Sequence, residues 1–206
     1  MTTYDVELPV DSLLQENSIM GLSILCVASP IRDGSALYNS MTTHEARMRE
    51  AGILYELPKI GRHITYIPPF YGTEDLSMGL AIGLELCKAF YASDIAPQIM
   101  QDGRLDFFRG ETDSLVIRLK TGDVLRDLVE RFRSRVSKNT RFVHPIASYF
   151  VNFHATIGEG IGLAQNIDTH GGLEKVFSEI TTVYPAHLEP PVLFEKKEHS
   201  WIPVRV

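Results

Sequence analysis

The sequence predicts an α+β fold built from two similar lobes. Two short apolar segments, residues 63–67 (HITYI) and 154–158 (HATIG), share a His-x-Thr pattern and a strand-like character. Stretches with apolar residues at helical spacing precede and follow each segment. We therefore expect a pseudo-symmetric, bilobal molecule in which two antiparallel sheets carry helices on their outer faces and flank a central cleft.

The bulk composition is that of one folded domain. The chain has 206 residues, of which 44% are hydrophobic and 22% charged, which is enough apolar material for a sizeable core. We expect a single domain over residues 1–206, with residues 1–18 as an irregular N-terminal extension. The formal net charge of −6 argues against binding duplex DNA through a broad basic face, but it permits a nucleotide or a short RNA end in a local pocket.

The cysteines and the hydropathy pattern indicate a soluble protein. Cys26 lies in an apolar run and Cys87 in a predicted helix, so we expect both to be buried free thiols. No apolar run reaches the roughly 20 residues that a membrane helix requires. The N-terminus lacks a basic region followed by an apolar stretch. We expect a cytoplasmic monomer with no membrane partner.

The first half predicts the order strand, helix, strand, helix, strand, strand. Pro30 closes the first strand, and Gly52 can cap the first helix. Pro68 and Pro69 have no N–H for a sheet ladder, so we expect them to end the first motif strand. The predicted elements are a strand at 19–29, a helix at 35–52, the motif strand at 63–67, a helix at 73–93, and strands at 98–109 and 114–119.

The second half repeats much of this order. Its predicted elements are a helix at 123–136, a loop at 139–152, the second motif strand at 153–157, a helix at 173–182, and a closing hairpin at 192–196 and 201–206. Gly158, Gly160 and Gly162 follow the motif strand. No lysine follows them as in a P-loop, so we interpret them as room for the chain to leave the cleft.

The two motifs supply the candidate catalytic residues. Side chains alternate along a strand, so His63 and Thr65 point the same way, and so do His154 and Thr156. If the two halves face each other, two imidazoles and two hydroxyls converge on one pocket. That set can perform acid–base chemistry on a phosphate without a metal or a cofactor.

Other side chains near the motifs have two possible roles. Phe70, Tyr71 and Phe153 could stack on a nucleobase or pack in the core. Three basic residues could contact a phosphate or lie solvated on the surface: Arg62, Lys120 and Arg141. The remaining histidines show no metal-ligand spacing, so we predict no metal site.

The motif residues resemble those of the 2H phosphoesterase superfamily, and within it the bacterial 2′-5′ RNA ligase-like proteins. The resemblance rests on HITYIPPF at residues 63–70, on HATIGEG at residues 154–160, on the element order and on the terminal hairpin that carries Trp201. It covers the chain from about residue 19. Tyr66 departs from the aliphatic residue that is usual after the threonine.

The resemblance implies hydrolysis of a phosphodiester, often a 2′,3′-cyclic phosphate. One histidine would take a proton from water and the other would protonate the leaving ribose oxygen, while Thr65 and Thr156 hold the phosphate oxygens. The substrate could be a 2′,3′-cyclic nucleotide or RNA end, a 2′-5′-linked oligonucleotide, or an ADP-ribose cyclic phosphate.

Two other hypotheses remain open at the sequence level. A binding module could hold a nucleotide or an RNA end in the same cleft without turnover. An unrelated α+β protein could carry the two motifs by coincidence, and it would then place the two motif strands far apart.

Overall fold

The computed structural model describes seven strands, two helices and part of the chain that connects them. The described residues are 23–72, 100–108, 113–139, 143, 153–161 and 188–204, with the isolated positions 81, 84, 85 and 88. Those four positions are helical and fall within the predicted helix 73–93. The remainder of that helix, the extension 1–18, the helix 173–182 and most of the loop 139–152 lie outside the described residues.

The elements confirm the α+β class. Two helices are described over their whole length, α1 (Ala36–Glu50) and α2 (Asp123–Asn139). The seven strands are β1 (Ile24–Pro30), β2 (His63–Tyr71), β3 (Met100–Phe108), β4 (Ser114–Lys120), β5 (His154–Gly158), β6 (Val192–Lys197) and β7 (Ser200–Pro203). The predicted strands, helices and closing hairpin match these bounds to within a few residues over the described part of the chain. None of the helices described is long and apolar enough to cross a bilayer.

The strands form one antiparallel sheet in the order β3-β4-β5-β2-β1-β6-β7. The sequence predicts two sheets. The structure joins them instead, because β2 and β5 pair in the middle through Ile64 and Ala155. The junction satisfies backbone groups that would otherwise lie at two sheet edges.

The first motif strand continues through the two prolines, so the prediction that it ends at Pro68 is wrong. Leu25 pairs with Phe70 and Val27 with Ile67, so two steps along β1 face three along β2. This extra residue makes a bulge at Pro68 and Pro69, where a missing N–H costs no ladder bond. The Pro69 carbonyl accepts a hydrogen bond from the backbone N–H of residue 143 at 2.8 Å.

Both helices pack on the same face of the sheet. The main core cluster joins apolar side chains of α1 and α2 to strand residues that include Ile64, Ala155 and Ile117. Ser35 caps α1 by accepting a hydrogen bond from the Tyr38 N–H, and Gly52 follows its end with a φ of 71°. The strand residues that alternate with this cluster therefore lie on the opposite face of the sheet.

Candidate functional site

The two His-x-Thr segments lie side by side at the centre of the sheet. Ile64 of β2 pairs with Ala155 of β5, and both are fully buried under the helices. His63 and Thr65 flank Ile64, and all three residues keep regular pairing to β1. Residues 154–156 keep regular pairing to β4. The four predicted residues are half-buried and share the face opposite the helices.

The antiparallel register sets the spacing of the four side chains. Extended by one step to either side of the Ile64–Ala155 pair, the antiparallel register sets His63 opposite Thr156 and Thr65 opposite His154. At ordinary sheet spacings, opposite side chains start about 5 Å apart and the diagonal pair about 7–8 Å. The register therefore sets the two imidazoles on the diagonal of a four-residue patch, with a hydroxyl beside each.

His63 is held in one tautomer by a backbone carbonyl. Its Nδ1 lies 2.7 Å from the Gly61 carbonyl oxygen, which can only accept, so Nδ1 carries the hydrogen. Burial lowers the pKa of His63 below its ordinary 6.5, and the Gly61 hydrogen bond opposes this with a smaller effect. The ring is therefore neutral near pH 7 and keeps the lone pair on Nε2, as a general base requires.

His154 lies against an aromatic ring from two strands away. The Phe108 and His154 rings meet edge to face, with centroids 4.7 Å apart and planes at 74°. Phe108 was not among the predicted site residues. Phe108 is preceded by a second phenylalanine, and the sequence does not say which of the two shares the face of His154.

The hydroxyl of Thr65 is hydrogen-bonded to a buried thiol. The Cys26 and Thr65 side chains form a hydrogen bond, and Cys26 is a buried free cysteine, as predicted. Burial raises the pKa of the Cys26 thiol to about 12, with a smaller opposing effect of the Thr65 hydrogen bond, so the thiol is neutral. Cys87 lies outside the described residues.

The three predicted substrate-contacting rings pack in the core. Phe70 is 0% exposed, Tyr71 is 4% and Phe153 is 6%. Phe153 precedes His154 and therefore points to the helix side, where it meets Tyr66 edge to face at 6.1 Å. The burial of these rings supports the core-packing role, one of the two roles that the sequence left open.

The Arg62 guanidinium binds side chains of α1. Its guanidinium donates to Glu45 Oε1 at 2.7 and 3.1 Å and to Thr42 Oγ1 at 2.8 Å, and it lies 4.0 Å above the Tyr38 ring. This network fixes the chain one residue before His63. Lys120 is exposed at the end of β4, and Arg141 lies outside the described residues.

Of the three glycines predicted to give room at the exit from β5, Gly158 is closely packed, Gly160 has open space around it, and Gly162 lies outside the described residues. A Cβ on Gly158 would lie 2.8 Å from the Tyr55 ring, so glycine is needed for close approach. Glu159 and Glu56 exchange backbone hydrogen bonds at 2.8 and 2.9 Å. Burial, with Glu56 adding to it and Lys59 opposing it, raises the pKa of Glu159.

No protein-family model and no curated protein matches the sequence. Among solved structures, the fold is similar to that of ATU0111, a conserved protein of unknown function from Agrobacterium tumefaciens str. C58. The TM-score is 0.54 at 14% identity, over 90% of this chain and 86% of that chain.

Usb1 of Kluyveromyces marxianus gives a TM-score of 0.48 at 12% identity, over 90% of this chain and 98% of that chain. Its structure with uridine monophosphate gives 0.48 at 13% identity, with the same coverage. At these identities the similarity describes the fold alone, and the chain shares the fold of ATU0111. What this chain can do chemically has to be argued from its own side chains.

Proposed function

We propose that the protein is a metal-independent phosphodiesterase of the 2H type. Its substrate would be a cyclic or 2′-5′ phosphodiester of a nucleotide or RNA end. The observation that carries this proposal is the pairing of Ile64 with Ala155, which supports a single site made from both His-x-Thr motifs. An unrelated protein with coincidental motifs would have no reason to keep these strands adjacent.

The two histidines take complementary roles in the proposed reaction. His63 is neutral near pH 7, so its Nε2 accepts a proton from the attacking water. The water oxygen bonds to phosphorus, and the bond from phosphorus to one ribose oxygen breaks. His154 donates a proton to that departing oxygen. One water is consumed, and proton exchange with solvent restores both imidazoles.

The two threonines stabilise the charge that develops on the phosphate. Thr65 and Thr156 lie beside the two imidazoles on the same face, where their hydroxyls can donate to non-bridging oxygens. A positioned donor of this kind contributes about 3–4 kcal/mol to transition-state stabilisation.

The proposal is tested by turnover of 2′,3′-cyclic nucleotides in the presence of EDTA. The wild type is compared with His63→Ala and His154→Ala, and with His199→Ala, an exposed histidine in the β6–β7 turn, as the matched control. We expect turnover that survives EDTA, falls by orders of magnitude in the first two variants and persists in the third.

Two results would overturn the proposed activity. Turnover that EDTA abolishes would exclude a metal-independent mechanism. Absence of turnover with cyclic nucleotides, 2′-5′ oligonucleotides and ADP-ribose cyclic phosphate, combined with binding of any of them, would favour the non-catalytic binding module.

A further inference from the structure

The ring of Phe108 contacts His154, and the reaction as proposed gives Phe108 no role. Phe108 ends β3, yet its ring meets the imidazole of His154 on β5 at 4.7 Å between centroids. Strand β4 lies between these two strands. The Phe108 side chain therefore crosses β4 on the face of the sheet that carries His154.

The face assignment of Phe108 is supported by its neighbours in β3. Leu105 belongs to the core cluster under the helices, so Asp106 and Phe108 lie on the other face. Asp106 forms an ion pair with Arg118, and Arg118 is the residue of β4 that pairs with His154. β3 thus places two side chains, a carboxylate and a ring, on the side of the sheet where His154 lies.

Charged and polar neighbours of His154 come from the strands on both sides of β5. Arg118 is its cationic neighbour on β4, and Asp106 on β3 neutralises that cation. On the other side, β2 contributes Thr65 opposite His154 and His63 on the diagonal. An aromatic ring at one side of an imidazole restricts its rotation, and aromatic pairs are worth about 0.5–1.5 kcal/mol beyond the area they bury.

We propose that Phe108 is a positioning residue for His154, holding the imidazole so that one nitrogen faces the phosphate between the two motifs. This inference rests on the proposed function, in which His154 delivers a proton to the leaving oxygen. Loss of the ring removes one restraint on the imidazole, so a smaller fraction of molecules holds it in the orientation that delivers that proton. The maximal rate falls, while substrate affinity changes little because Phe108 holds only the acid.

The first measurement is direct and needs no turnover. Histidine-ring NMR signals, with His154 assigned through His154→Gln, are compared between wild type, Phe108→Leu and Phe132→Leu. Phe132 is a partly buried ring of α2 on the opposite face of the sheet and serves as the matched control. We expect the His154 signals to shift in Phe108→Leu and to stay in place in Phe132→Leu.

The second measurement separates positioning from packing. We expect Phe108→Leu to lower kcat about 2- to 12-fold at nearly constant KM, and Phe108→Tyr, which keeps the ring, to restore most of kcat. Equal losses in the Leu and Tyr variants, or unchanged His154 signals in Phe108→Leu, would overturn the positioning role. A wild type without turnover would refute the proposed function, whereas the NMR comparison would still decide whether Phe108 orders His154.

Discussion

At the residue scale, the tautomer and the protonation state of His63 follow from its hydrogen bond to one carbonyl and from its burial. The Gly61 oxygen accepts from Nδ1 and fixes the hydrogen there, while desolvation disfavours the charged ring. Hydrogen bond and burial together yield a neutral imidazole with a free Nε2 lone pair. No comparable statement about acid or base is available from the sequence, because both motifs have the same His-x-Thr pattern.

The pH dependence of turnover tests the base assignment. A general base must be deprotonated, so activity rises as the pH passes upward through the pKa of His63. Because burial lowers that pKa, the rising limb of kcat/KM is expected to centre below pH 6.5. A pH–rate profile of the wild type provides the measurement. A rising limb centred at or above 6.5 would contradict the assignment of His63 as base.

The threonine hydroxyls can be tested without disturbing the strands. Thr65→Val keeps the β-branched shape and removes the donor, so kcat is expected to fall about 10²-fold while the thermal midpoint changes little. The same change in Thr156 should act similarly. Thr43→Val, at an exposed position of α1, is the matched control. Comparable rates for Thr65→Val and Thr43→Val would remove the threonine from the phosphate site.

Sequence patterns selected some of the candidate site residues and could not select others. The His-x-Thr repeat and strand alternation were sufficient to select His63, Thr65, His154 and Thr156, because these signals are local. The contact of Phe108 with His154 depends on β3 and β5 flanking the same strand, which no local pattern records. The sequence also left two roles open for the aromatic residues adjacent to the motifs, base stacking and core packing. Burial favours core packing, since Phe70 is fully buried.

At the element scale, close packing fixes the end of β5. Gly158 lies under the Tyr55 ring, and Arg49 donates to the Tyr55 hydroxyl at 2.9 Å, so the ring has little freedom to move away. Gly158→Ala is therefore expected to destabilise the fold by about 1–3 kcal/mol. Denaturant unfolding measures the loss. Gly122→Ala, whose added Cβ meets open space, is the control, and equal stability of the two variants would contradict this packing account.

The ion pair between α1 and the start of β2 is the second structural constraint near the site. Glu45 is 2% exposed and accepts two hydrogen bonds from Arg62. Glu45→Ala leaves the mostly buried guanidinium without its carboxylate, and we expect a loss of about 3–5 kcal/mol.

The matched control for that change is a surface pair. Glu189→Ala breaks an exposed ion pair with Arg32, formed at 3.3 Å, and is expected to cost less than about 1 kcal/mol. Urea unfolding of both variants provides the comparison. Similar stabilities for the Glu45 and Glu189 variants would show that the buried pair contributes no more than the surface pair.

Element prediction succeeded where periodicity was strong and failed where pairing decided the outcome. The helices and strands were recognisable from apolar spacing, and Gly52 was recognisable as the cap of α1. The prolines at 68 and 69 were expected to end a strand, but a bulge against β1 accommodates them. Bulges depend on the register with a partner strand, so the sequence of β2 alone does not contain this information.

At the scale of the whole molecule, one sheet serves two purposes on its two faces. One face is covered by α1 and α2 and supplies the main core, while the other carries both motif pairs at the central junction. The sequence predicted two sheets because it showed two similar halves. It could not show that β2 and β5 pair, because their first residues, His63 and His154, are 91 positions apart (154 − 63). Strand partners so far apart in the chain leave no local signal.

The central claim is that both motifs form one site, and ligand titration of the two histidines tests it most directly. Histidine-ring NMR signals are followed as each of the four 2′-mononucleotides is added, with assignments from His63→Gln and His154→Gln. The account predicts that the His63 and His154 signals shift together and follow one saturation curve with the same Kd. Shifts confined to one histidine, two different saturation curves, or no shift with any of the four nucleotides would contradict a shared phosphate site.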